Sequence, residues 1–171
     1  DLARAVGLSE GSSGRLAVPV DLMRLGDGSL AVNAVVVGVP PDRLRWWHRP
    51  VPVEVVVDGA SVSGRATTVV VASGQFLRGS DVSPRGHPGD GWLEVQVYCV
   101  PAGQRSQMRA RLSSGAHLPH PGITARRGRL SVVVRFSKGM GGVEIDGRKT
   151  SVKGAGEVAV SVVPAAFRLL V

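Results

Sequence analysis

Residues 83–97, SPRGHPGDGWLEVQV, decide how the rest of the chain reads. They leave one strand-like run, TTVVVAS at 67–73, and enter another, WLEVQVYCV at 92–100. Between the runs stand Pro84, Gly86, Pro88, Gly89 and Gly91, with Asp90 between two glycines. Glycine supplies the positive φ that a sharp turn needs and proline presets the entry to one, so the stretch is a loop closed by an Asp-Gly turn. After the turn Glu94 and Gln96 alternate with valines, as Glu54 does in VPVEVVV at 51–57. A period of two puts polar side chains on one face of a strand and apolar ones on the other.

The same punctuation recurs outward from this loop. Asp27-Gly28 and Asp58-Gly59 lie between neighbouring strand-like runs and read as hairpin turns. The strand-like runs are 16–22, 29–38, 51–57, 61–72, 92–100, 130–136, 142–146, 157–163 and 166–171. Helical candidates are short: PPDRLRWWH at 40–48 and QRSQMRARL at 104–112. At the start, DLARAVGL has Leu2, Ala5 and Val6 at helical spacing and stops at Gly7. It reads as the tail of a helix that begins outside this chain. The expected fold is mainly β: an antiparallel β-sandwich over 16–171 with one or two short helices at its edge. A helix remnant at 1–8 and a Ser/Gly connector at 9–15 precede it.

Composition agrees. The 171 residues include 23 glycines and 11 prolines, with aromatics at only 4%. Valine is the commonest apolar residue, which favours strands over helices. No run of about 18 apolar residues is available to span a membrane as a helix. The first residues lack the basic-then-apolar pattern of a secretory leader. Cys99 has no second cysteine to pair with, and reads as a small buried apolar residue suited to a reducing compartment. The net charge of +8 comes almost entirely from arginine, with Arg109, Arg111, Arg126, Arg127 and Arg129 gathered between 105 and 130. Such a field either reflects compositional bias or attracts an anionic partner, such as a lipid surface, a nucleotide or a nucleic acid. Nucleic acid ranks last, because no aromatics interleave with the basic residues as stacking platforms.

Several features occur in a telling order. QFLRGSD at 75–81 precedes the PGDG loop, and Asp146-Gly147 closes VEIDG at 143–147 before VVPAAFRLLV ends the chain. Asp1, Leu2 and Arg4 open it, Asn33 and Gly38 lie in LAVNAVVVG, and Gly115 and His117 form a Gly-x-His pair. This order resembles the C-terminal half of the diacylglycerol kinase-like lipid kinases, which share their architecture with the NAD kinases. The resemblance implies a substrate-side domain of an ATP-dependent kinase acting on a lipid hydroxyl such as that of diacylglycerol. ATP and Mg²⁺ would be its cofactors, with a cytoplasmic, peripherally membrane-bound location. It implies no activity without the N-terminal domain, whose GGDGT-type phosphate loop is not in these 171 residues. Three departures bear on activity: that missing loop, a short 39–50 segment carrying Trp46, Trp47 and His48, and Arg148 where the family's Asp-Gly-Glu has its acid. The other reading is a non-catalytic lipid- or anion-binding module derived from such a kinase. A lipid, an anionic membrane surface and a second copy of the chain are the partners this leaves open.

The resemblance also assigns roles to residues, each with a plainer alternative. Asp146 matches the general base that takes the proton of the attacking hydroxyl, or it is only a hairpin turn residue. Asp90 matches a ligand for Mg²⁺ or Ca²⁺, with the carbonyls of His87 and Trp92 beside it, or it too is only a turn residue. Asp1 would lie near the nucleotide, and the five arginines would face an anionic membrane. The four histidines lack cysteine or glutamate at zinc spacing, and G-x-S-x-G, P-loop and CxxC patterns are all missing.

Overall fold

The computed structural model describes residues 2–7, 17–150 and 156–170. Asp1 and the 9–15 connector lie outside them. In chain order the elements are α1 (Leu2–Ala5), β1 (Ala17–Leu25), β2 (Leu30–Ala31), β3 (Ala34–Gly38), β4 (Val51–Val57), β5 (Ala60–Ala66), β6 (Thr68–Ala72), β7 (Phe76–Leu77) and β8 (Ser80–Asp81). There follow β9 (Leu93–Tyr98), α2 (Arg105–Ala110), β10 (Ile123–Gly128), β11 (Ser131–Phe136), β12 (Val143–Ile145), β13 (Arg148–Lys149) and β14 (Gly156–Leu170). Two antiparallel sheets face each other, in the orders β2-β1-β14-β11-β4-β5 and β10-β9-β6-β3-β12-β13. The expected sandwich is there.

The valine-rich runs explain the layering. Val53, Val55, Val57, Val132 and Val134 of the first sheet pack against Val35, Val37, Val69, Val71 and Val95 of the second, closing the main core. Every residue of β3 and β6 is buried, because the second sheet is covered on its outer face as well. There Val36, Val70 and Tyr98 meet Leu44, Val82, Met108 and Leu112 from α2 and the loops. This layer changes the meaning of the alternation in β9. Glu54 faces outward as expected, but Glu94 and Gln96 are buried at 6% and 1% exposure. Gln96 donates to the Val82 carbonyl and accepts from the Tyr98 hydroxyl, which satisfies it in place.

Other expectations shift. β10 was not expected, because ITARRG reads as a basic stretch, yet it pairs along all of β9 from Ile123↔Tyr98 to Gly128↔Leu93. The runs 157–163 and 166–171 are one strand, β14, interrupted by a bulge. Val20 pairs with Phe167 and Leu22 with Val163, so Asp21 stands opposite three residues beginning with Pro164. Proline lacks a ladder donor, and a bulge tolerates it. The 40–48 helix is only a 3₁₀ turn at Pro41–Arg43, whereas 104–112 contains α2 between two 3₁₀ turns. Cys99 is exposed rather than buried.

Candidate functional site around Asp146

Asp58 and Asp146 occupy the same position in two tight hairpins. Their φ angles are 47° and 48°, with Gly59 and Gly147 at 87° and 81°. Two consecutive left-handed residues match the twist of the flanking strands, which is why Asp-Gly is chosen. Each carboxylate then clips a distant segment. Asp146 accepts the amides of Val32, Asn33 and Ala34 at 2.8, 2.9 and 2.9 Å. Asp58 accepts those of Arg129, Leu130 and Ser131 at 2.7, 2.9 and 2.9 Å. Burial opposes ionisation of Asp58, but its three amides outweigh that and hold its carboxyl below the usual range. The plain turn reading therefore accounts for the geometry of both aspartates.

The surroundings separate them. Two residues before Asp146, Glu144 is 3% exposed and pairs with Arg78, which also reaches Asp42 at 3.1 Å. Arg43 lies 3.9 Å from the same glutamate. The Arg78 Nε sits 3.8 Å from where a Cβ on Gly147 would stand, so this ionic cluster borders the hairpin. It opens into a cavity of about 530 Å³ walled by Val39, Pro40, Arg43, His48, Glu144 and Lys149. Asn33 joins the corner from below, donating its side-chain amide to the Phe76 carbonyl. On the Phe76 side α1 docks, with the Arg4 guanidinium 4.1 Å from the ring centroid. A fixed carboxylate, a buried acid, three arginines and a half-open cavity thus meet where the first residues of the chain touch the sandwich. Such a corner can hold a polar head group against Arg43, Lys149 and Glu144, with Asp146 two residues beyond Glu144 and outside the cavity wall.

The opening loop does something else. Pro88 accepts from the Asp21 amide at 2.6 Å, and the Asp21 carboxylate takes the amides of Gly91 and Ala165 at 2.7 and 2.8 Å. Asp21, 1% exposed, thus ties the loop to the bulge of β14. Gly89 packs so closely that a Cβ would stand 2.4 Å from the Pro19 carbonyl oxygen. Two of the expected divalent-ion donors already have protein partners. The Asp90 carboxylate accepts from Trp92 at 3.0 Å and pairs with Arg127 at 3.1 Å, and the His87 carbonyl accepts from Asp90 at 3.3 Å. A guanidinium thus already supplies a positive charge beside the Asp90 carboxylate.

The five arginines do not form one surface. Arg127 and Arg129 stack on Trp92, each 4.9 Å from its ring centroid, at the Leu93 end of β9. Arg127 also lies 2.5 Å from Glu94, whose carboxyl burial pushes upward despite that partner. Arg126 is exposed on β10. Arg109 and Arg111 belong to the segment that follows the opposite, Tyr98 end of β9, where Arg109 donates to the Leu44 carbonyl. His117 is structural: 1% exposed, its Nε2 is 3.2 Å from the Tyr98 hydroxyl, and burial holds its pKa below the usual value. Sequence reasoning missed Asp21, Arg78, Glu144 and Arg105, whose partners, apart from the Val100 carbonyl beside Arg105, all lie far along the chain. The chain order alone hinted at Arg78, inside QFLRGSD.

Comparison with known proteins locates this architecture. The family model described as the YegS C-terminal NAD kinase beta sandwich-like domain matches residues 8–171. No curated protein matches the sequence. Among solved structures, a candidate diacylglycerol kinase from Bacillus anthracis strain Sterne superposes with TM-scores of 0.79 and 0.77 in two structures. A diacylglycerol kinase from the same strain gives 0.76. Each is 16% identical, with 99% of this chain covered. The chain spans 64–65% of the length of these relatives.

Proposed function

Because the chain belongs to the YegS C-terminal NAD kinase beta sandwich-like domain family, we propose that it is the substrate-side domain of an ATP-dependent lipid kinase. The observation that carries the proposal is the corner at Asp146, where a carboxylate fixed by three amides stands two residues from Glu144, which pairs with Arg78 and Arg43 and walls the cavity. Asp146 would accept the proton of a lipid hydroxyl such as that of diacylglycerol as it attacks a γ-phosphate. Its three amide donors hold the carboxylate in one orientation, as a positioned base requires. Arg78 and Arg43 would face the anionic groups. ATP and its Mg²⁺ would supply the phosphoryl group and charge neutralisation when bound, and the GGDGT-type loop that handles nucleotide phosphates in the family is not within this chain. The setting would be the cytoplasmic face of an anionic membrane.

A second reading is favoured by Arg148, which places an exposed guanidinium directly after the Asp-Gly turn. It is a non-catalytic lipid- or anion-binding module. The discriminating experiment joins the domain to the residues encoded upstream and measures transfer from ATP to diacylglycerol in vesicles. Turnover that falls about a hundredfold or more in Asp146→Asn supports the kinase. An unchanged rate in that variant removes Asp146 from the chemistry, and lipid binding without turnover supports the module.

A further inference from the structure

Trp46 and Trp47 are 71% and 56% exposed, in a chain with only three tryptophans. Large aromatics left in water are unfavourable unless something covers them in use. Among the described residues the other exposed large apolar side chains, Leu30, Val62, Leu130 and Leu170, are widely separated in sequence and none is aromatic. The two indoles pack edge to face, 5.6 Å between centroids, and present one continuous apolar tip.

The backbone beneath the tip is held with unusual thoroughness. Residues 45–48 form a tight turn with the tryptophans at its centre: His48 donates to the Arg45 carbonyl at 3.3 Å, and Arg45 donates back to His48 Nδ1 at 2.9 Å. From α2, the buried Arg105 donates to the carbonyls of Arg45, Trp46 and His48 at 2.7, 3.3 and 2.6 Å. Arg109 takes that of Leu44. With its polar backbone tied inward, the turn can point both indoles outward at little entropic cost on binding. Arg43, Arg45 and Arg49 flank the pair and are exposed. The one acid in the segment, Asp42, pairs with Arg78 at 3.1 Å and more loosely with Arg43 at 4.0 Å, so Arg45 and Arg49 have no acid within the segment left to pair with. Tryptophan prefers the boundary between water and acyl chains, and arginines beside it are drawn to anionic head groups.

We infer that the Arg45–His48 turn is an interfacial anchor that inserts Trp46 and Trp47 into the head-group layer of an anionic bilayer, with Arg43, Arg45 and Arg49 on the lipid phosphates. His48 and Arg43 also wall the cavity beside Glu144, so the anchor sets that opening against the membrane surface. The inference deepens the lipid-kinase reading by naming how the domain meets its lipid. It moves the membrane contact from Arg109, Arg111, Arg126, Arg127 and Arg129 to this turn.

The test needs neither ATP nor a phosphoryl acceptor, so its failure is distinct from absence of kinase activity. The 171-residue chain is floated with vesicles of phosphatidylcholine containing about a third phosphatidylglycerol, and tryptophan emission is recorded. Wild type should bind, shift its emission to the blue and be quenched by brominated acyl chains. Trp46→Ser with Trp47→Ser should bind at least about tenfold more weakly at an unchanged melting temperature, since both side chains are exposed. Arg45→Gln with Arg49→Gln should lose roughly fivefold per charge on anionic vesicles and nothing on neutral ones. Failure of wild type to bind, or equal binding by the tryptophan variant, overturns the anchor. So does an emission shift that appears on raising protein concentration alone, which would place a second copy of the chain on the turn.

Discussion

Asp58 and Asp146 are one residue-scale device used twice. An acid at the first position of a tight Asp-Gly turn reaches three consecutive amides of a segment 71 to 73 or 112 to 114 residues away. Asparagine keeps the left-handed backbone and one acceptor oxygen but loses the charge. Asp58→Asn and Asp146→Asn should therefore each cost about 1 kcal/mol in urea unfolding while preserving the fold. A fully unfolded Asn variant of either would show that the clip carries more than this. His117 gives a pH signature. Burial beside Tyr98 disfavours its charged form, with Asp81 and the Val82 carbonyl opposing only in part, so the folded ring titrates below the usual 6.5. The folded state then excludes a proton that the unfolded chain takes up as pH falls through that value. Its contribution is complete above about pH 6.5, is lost progressively below it, and levels off at the lower folded value. His117→Gln should flatten the fall of unfolding free energy below that pH. His48, shifted the same way by burial and Arg105, should leave a residual slope. An identical slope in the variant would place the pH dependence elsewhere.

At the scale of elements, α2 acts through one residue. Arg105 is 3% exposed and donates to four carbonyls, those of Val100, Arg45, Trp46 and His48. Burial lowers its pKa, yet four acceptors aimed at one guanidinium compensate for the charge. Arg105→Met leaves those acceptors without their donor and should cost about 3 kcal/mol. It should also open the turn, so that trypsin cuts after Arg45 or Arg49 faster than in wild type. Lysine cannot reproduce the fork and should rescue little. Unchanged proteolysis in Arg105→Met would mean the turn holds itself. The 83–92 loop is likewise an element fixed by ion pairing and by Asp21. With Arg127 on Asp90, millimolar Mg²⁺ should leave the melting temperature of the chain where it is. A rise that vanishes in Asp90→Ala would mean instead that the arginine yields to a metal.

For the whole molecule, the sandwich supplies a rigid corner at Asp146 and, across the cavity that Arg43 and His48 help to wall, a tip at Trp46 and Trp47, with no GGDGT-type phosphate loop among the 171 residues. The chain alone should accordingly produce no phosphatidic acid from ATP and diacylglycerol, and measurable turnover would contradict the division of labour proposed. What the sequence determined by itself is local. Valine-rich runs broken by Asp-Gly and Pro-Gly steps specify strands and tight turns, because alternation and positive φ act over a few residues. That was enough for the β class, and the order of motifs was enough for the family. Tertiary structure alone decided what these features touch. β10 became a strand because β9 offered its edge, although ITARRG looks like a basic loop. Glu94 and Gln96 were buried by a layer that α2 and the loops lay over the second sheet. Asp90 acquired Arg127, and the five arginines were divided between the two ends of β9. Each of these outcomes depends on partners tens of residues apart, and a pattern with a period of two carries no information about which strand lies next to which.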